Sequence, residues 1–202
     1  MQDKGWIPAI GIVTMATPEE ITEEFQHRVP ALDIQLLRQV HGGLHIAARA
    51  WVQVLQNQAM LGLRYARPLG ARFSTSVGGD FSAWKGHLLV EDLDTDASGW
   101  SAYPNLSLGY RAGQDVLITL KGEAVLHLDH RVRVGEIEIT RDVRRFNGMA
   151  WSLYVEQPFF GKHHLALGFT ARYTEFYWAT WALFNTYERK LLYRHITIAF
   201  IP

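Results

Sequence analysis

Residues 163–175, HHLALGFTARYTE, alternate with a period of two. Leu165, Leu167, Phe169, Ala171 and Tyr173 fall on one face, and His164, Ala166, Gly168, Thr170, Arg172 and Thr174 on the other. Successive side chains of a strand point to opposite faces, so this pattern describes a strand between two different solvents. The wet face of a soluble sheet usually carries Lys, Glu and Asp. Here the polar face is small or hydroxylated, with a single Arg. That mixture suits the crowded inside of a barrel whose outside meets lipid.

The same alternation recurs along the chain. Val77 and Phe81 oppose Ser76 and Asp80 within 71–84; Leu106 and Leu108 oppose Ser107 and Gly109 within 100–111. Further strands are expected at 32–40, 44–55, 59–65, 116–134, 149–155 and 191–201, with 6–15 as a first strand or a buried N-terminal segment. The tract 116–134 is expected to fold back near Asp129-His130, and the parity change after Gly135 implies a bulge or register break. Residues 176–184 are aromatic on both faces and read as one more strand. Thr17-Pro18-Glu19-Glu20 has the N-cap, the Pro and the acidic first turn of a helix start, so a short helix is expected near 17–28. The acidic stretch 85–99 reads as the longest exposed loop. These elements make an all-β chain, an antiparallel barrel of about 10–12 strands in one domain spanning 1–202.

The bulk composition agrees with that reading. A hydrophobic content of 48% with a mean hydropathy of −0.06 fits a barrel in which alternation averages hydropathy away. No apolar run is long enough for a transmembrane helix. A formal net charge of zero gives no reason to expect nucleic acid as a partner. The absence of Cys excludes disulfides and thiolate metal sites. The opening residues do not read as a signal peptide, because Asp3 sits beside Lys4 and Pro8 interrupts the apolar run. The chain is read as a mature form.

The segments ARFSTSVGGDF, NLSLGYRAG and HLALGFTARY, joined by short turns, resemble the Gram-negative outer-membrane β-barrel class. The resemblance covers most of 32–201 and is one of pattern, not of a narrower family. It implies an outer-membrane location and contact with membrane lipid or lipopolysaccharide; no cofactor is expected. Tyr65, Trp84, Trp100, Tyr110, Tyr173 and Trp178 resemble the aromatic girdles of that class. One departure is that Phe200 is followed by Ile201 and Pro202, where the class often ends on an aromatic residue.

Taken together, the polar faces define a candidate lumen. Its cations are Arg49, Arg64, Arg72, Arg111, Lys121 and Arg172, and its anions are Asp80, Glu123, Glu136, Glu138 and Glu156. Arg supplies 15 of the 20 basic residues, and its planar fork suits confined polar networks. Two arrangements are open: a water-filled pore of weak selectivity, or a salt-bridge network that fills a narrow barrel. Balanced signs and small strand number favour the second.

The leading function is a small channel or structural pore. The alternatives are a membrane-anchoring subunit whose 85–99 loop holds an envelope partner, a soluble lipocalin-like cup, and an outer-membrane lipid hydrolase. The cup is disfavoured because its outer faces would be rich in Lys and Glu. A hydrolase would combine Ser74 or Ser76 with His45 or His127 and Asp80, but no nucleophile-elbow motif is present. The pairs His127/His130 and His163/His164 lack metal-ligand spacing, and no metal is expected.

Overall fold

The computed structural model describes residues 5–18, 28–90, 93–113, 115–139, 144–181 and 189–202. Eleven strands run in chain order: β1 (Trp6–Ala16), β2 (Arg28–His41), β3 (Leu44–Val52), β4 (Gln56–Pro68), β5 (Phe73–Val90), β6 (Leu93–Ala112), β7 (Val116–Val134), β8 (Ile137–Ile139), β9 (Phe146–Phe160), β10 (His163–Thr174) and β11 (Leu191–Ile201). Each pairs antiparallel with its neighbours, and β1 closes on β11 from Ile10↔Phe200 to Ala16↔Arg194. Among the described residues ten strands form the ring, while the short β8 pairs only with the end of β7.

The two ends of the barrel differ. One end carries the tight turns at 42–43, 69–72 and 161–162 and the end of β6 at Gly113, and each of these has a positive-φ glycine: Gly42, Gly70, Gly161 and Gly113. Only Gly adopts that conformation without steric cost, which is why these hairpins can be so short. The opposite end carries the ends of β1, β3, β5 and β10 with the described segments that follow them, such as 53–55 and 175–181. These are called the turn end and the loop end below.

Side-chain alternation puts grease outside. Leu167 and Phe169 are each 47% exposed, whereas Thr170 and Arg172 on the same strand are 7% and 9% exposed. Exposed apolar side chains continue around the ring through Ile10, Ile12, Leu61, Leu63, Val77, Leu106, Leu120, Leu153, Ile196 and Ile198. A contiguous apolar surface of this extent is not stable against water. Strands of 9 residues (β3) to 20 residues (β6) are long enough to cross a bilayer. A closed antiparallel ring with an apolar wall, a polar interior and short turns at one end is the architecture of an outer-membrane β-barrel.

Several expectations need correction. Residues 85–99 are not a loop: β5 and β6 pair continuously from Phe73↔Tyr110 to Val90↔Leu93, so this stretch is the far half of a long hairpin. The polar side chains there reflect a hairpin that outruns the apolar belt, not an absence of strand. Nor does β7 fold back at Asp129-His130. It runs on to Val134, and the irregularity is a bulge against Trp100/Ser101. The described part of 176–184 is not a strand. Beyond Thr174 the chain turns into the barrel and includes a 3-10 turn, Trp178–Thr180. Residues apolar on every side need a dry environment on every side, and a lipid-facing strand gives only one. Of the helix expected at 17–28, residues 19–27 lie outside the described residues, and Arg28 begins β2.

Candidate functional site: the charged lumen and its floor

The inward positions of six strands bring seven charged groups into the lumen. Asp33 on β2 accepts two hydrogen bonds from Arg49 on β3, from Nε at 2.7 Å and Nη2 at 2.9 Å. Gln35 Nε2 also donates to this carboxylate, at 2.7 Å. Two-pronged pairing of this kind satisfies a buried carboxylate better than a point charge does.

A second set forms a ladder along the wall. Arg64 Nη2 lies 3.2 Å from both oxygens of Asp80. Asn105 Nδ2 donates to Asp80 at 3.0 Å. Lys121 Nζ stands 3.6 Å from Asp80 and 2.9 Å from Glu123. Arg172 Nη2 then donates to Glu123 at 2.6 Å. The order is Arg64–Asp80–Lys121–Glu123–Arg172, cation alternating with anion. Gly62 makes room for it, since a Cβ there would stand 1.9 Å from Asp80 Oδ1.

Towards the loop end an aromatic floor closes the lumen. Trp178 meets Trp51 edge-on at 5.5 Å and stacks with Trp84 at 6.4 Å. Tyr177 stacks on His195 at 5.5 Å. The Arg172 guanidinium lies between the rings of Tyr103 and Tyr177, 5.4 and 5.2 Å from their centres. Backbone ties hold the segment in place. Asn147 Nδ2 donates to the Phe176 carbonyl, and the Phe176 N–H donates back to Asn147 Oδ1 at 2.9 Å. Gln56 Nε2 donates to the Ala179 carbonyl. Behind the floor Val13, Met15, Ala97, Phe176, Trp181, Leu191 and Tyr193 pack as an apolar core. Gly86 admits the Trp181 indole, 2.1 Å from where a Cβ would be.

Between turn end and floor lies a cavity of about 460 Å³. It reaches from Ile7, Leu37 and Ile201 down to Tyr177 and Trp178. One side carries the charged ladder. The other, on β11 and β1, is small and mostly apolar: Thr197, Ala199, Ile201 and Ala9.

Of the residues named from sequence, Arg49, Arg64, Asp80, Lys121, Glu123, Glu156 and Arg172 line this cavity. Arg72, Arg111, Glu136 and Glu138 do not. Arg72 lies in the exposed 69–72 turn and Arg111 at the exposed end of β6. Glu136 is in the turn after β7 and Glu138 on β8, which leaves the ring. Parity alone does not reveal that a strand has run past the rim. Asp33 was missed, although its inward parity with Gln35 was readable; Tyr103 and Asn105 were also missed.

The proposed girdle divides in the same way. Tyr65, Trp100 and Tyr173 are exposed on the outer face, and Tyr110 packs there against Phe73 at 5.0 Å. Trp84 and Trp178 are inside, 3% and 4% exposed. Trp84 shares the inward parity of Asp80 and Ser82, and Trp178 belongs to the floor. Trp151 faces outward and joins the exposed aromatic set.

The histidines named from sequence have contacts away from Ser74 and Ser76. His45 Nδ1 is 2.9 Å from the Gly43 carbonyl. His127 Nε2 is 3.2 Å from His130 Nδ1. Neither pair involves Ser74 or Ser76. His87 lies 3.1 Å from Asp96 and 3.6 Å from Asp94 on the exposed β5–β6 hairpin.

No protein-family model and no curated protein matches the sequence. Among solved structures the chain is similar to the NanC porin, with a TM-score of 0.48 at 7% identity over 96% of this chain and 98% of that one. It is similar also to the KdgM porin, with a TM-score of 0.44 at 7% identity over 97% and 98%. The translocator domain of autotransporter NalP from Neisseria meningitidis matches with a TM-score of 0.44 at 9% identity over 100% and 88%.

Proposed function

We propose that the chain is a small channel in the outer membrane of a Gram-negative bacterium, with its turn end in the periplasm and its loop end outside. Short periplasmic turns and longer outer loops are the rule for such barrels. One observation carries the reading: a cavity of about 460 Å³ with a charged ladder along one side lies inside a wall whose outer face is apolar. Each buried carboxylate of the ladder is held by at least two cations, so the charged wall is tolerated inside the barrel.

In this reading the aromatic floor, residues 176–181, is the constriction. The form described is closed at the loop end, and passage requires this segment to withdraw. Conductance across planar bilayers tests the proposal. Wild type should give small, infrequent openings. Trp178→Ala should open the constriction and raise unit conductance. A heat-modifiable, folded sample with no conductance in either form would overturn the channel reading.

A second reading is an anchor for an envelope protein. It is favoured by the β5–β6 hairpin, which runs beyond Trp100 and carries Lys85, His87, Asp94 and Asp96 on its outer face. Co-purification that depends on this hairpin, with no conductance, would put the anchor ahead.

A further inference from the structure

The ladder on the lumen wall is asymmetric in a way its paired distances conceal. It contains three cations and two carboxylates, and it begins and ends on a guanidinium. The carboxylates are hidden: the side chains of Asp80 and Glu123 are 4% and 10% exposed. At one end Arg172, also 10% exposed, is sealed between two tyrosine rings. At the other end Arg64 is 32% exposed and lines the cavity. Asp80 engages only its Nη2. The surplus positive charge is therefore presented to the cavity at Arg64. Arg49 does not compete, because Asp33 holds its Nε and Nη2. The one well-exposed carboxylate of the lining, Glu156, stands 2.9 Å from His164.

The wall facing the ladder is different in kind. Ala9, Thr197, Ala199 and Ile201 present a shallow, mostly apolar surface, and Tyr177 and Trp178 close the bottom. A solute here meets one cationic point, one apolar side and an aromatic base. In a confined space of low dielectric a single unneutralised cation discriminates strongly by charge. A volume of about 460 Å³ holds one small molecule.

We infer that the cargo is a small amphipathic monocarboxylate, with its carboxylate on Arg64 and its apolar body between the β11–β1 wall and the Tyr177/Trp178 floor. This rests on the channel reading and names its substrate class. A second negative charge on the solute would find no further surplus cation. A cationic solute meets Arg64 beside the hidden Asp80 and Glu123, and the one carboxylate within its reach is Glu156, which stands beside His164.

Three probes of similar shape and different charge test the inference: benzoate, benzyl alcohol and benzylammonium. Their binding to the folded barrel in detergent micelles is measured by calorimetry. Benzoate should bind about tenfold more tightly than benzyl alcohol, the worth of one charge-assisted pair. Benzylammonium should bind least. Arg64→Gln should erase the difference between benzoate and benzyl alcohol, and Arg64→Lys should keep part of it. A gel shift without heating reports folding of each variant. If Arg64→Gln fails to fold, the reversal potential of wild type in a KCl gradient decides, and it should lie on the anion side. Equal binding of the three probes, or a preference for the cation, overturns the inference. Conductance without benzoate preference would defeat the cargo claim and spare the channel. Benzoate preference without conductance would do the reverse and leave a dead-end binding site.

Discussion

Arg172 and Glu123 sit on strands that are not paired with each other, yet Nη2 and Oε1 are 2.6 Å apart. Both flank Ala150 on β9: Ala150 pairs with Arg172 on one side and with Glu123 on the other. The small side chain between them lets the guanidinium reach over the intervening strand. Removing one partner strands a buried charge. Arg172→Ala should therefore cost on the order of 3–5 kcal/mol, read as a lower urea midpoint for the heat-modifiable form. The double variant Arg172→Ala/Glu123→Ala should recover part of that loss. An additive double variant would show that the pair is not coupled.

Gly62 is a spacing residue. Asp80 occupies the volume that a side chain at 62 would take. Gly62→Ala should push the carboxylate off Arg64 and Lys121 and lower stability by about 1–3 kcal/mol. Thermal loss of the gel-shifted form measures this, and an unchanged midpoint would mean that Asp80 has somewhere else to go.

Asn147 brackets Phe176 with both halves of its amide. Asn147→Ala leaves the Phe176 carbonyl and N–H without that partner, a loss of about 1–3 kcal/mol confined to the floor. Limited proteolysis should cut within 176–181 faster while the strands stay intact. Equal protection of the segment in wild type and variant would assign its closure to aromatic packing alone.

The outer belt gives a depth-dependent prediction. Leu63 is 57% exposed on the lipid face. Leu63→Arg should cost about 2–4 kcal/mol of folding free energy in lipid vesicles, whereas Tyr65→Arg, nearer the interface, should cost about 0–1 kcal/mol. Equal costs at the two positions would argue against a bilayer around this wall.

Most of the barrel was legible because a period of two is a local property. Leu167 and Phe169 face out and Thr170 and Arg172 face in as the alternation requires. Trp84 was legible too, since it continues the inward row of Asp80 and Ser82; its aromatic ring argued for the girdle and its parity against. The hairpin at 85–99 was hidden by composition, because strands that outrun the lipid need no apolar face. Arg72, Arg111, Glu136 and Glu138 share the candidate-lumen list with Arg64, and only the height of each along the barrel separates them.

The sequence by itself determined that the chain alternates and which faces are apolar. Those follow from the fixed geometry of a strand, residue by residue. The pairing of Arg172 with Glu123 across Ala150, the room that Gly62 leaves for Asp80, and the inward turn of 176–181 onto Trp51 and Trp84 were decided only by the tertiary structure. Each depends on which strands close into a ring and in what register, and register is set by contacts far apart in the chain.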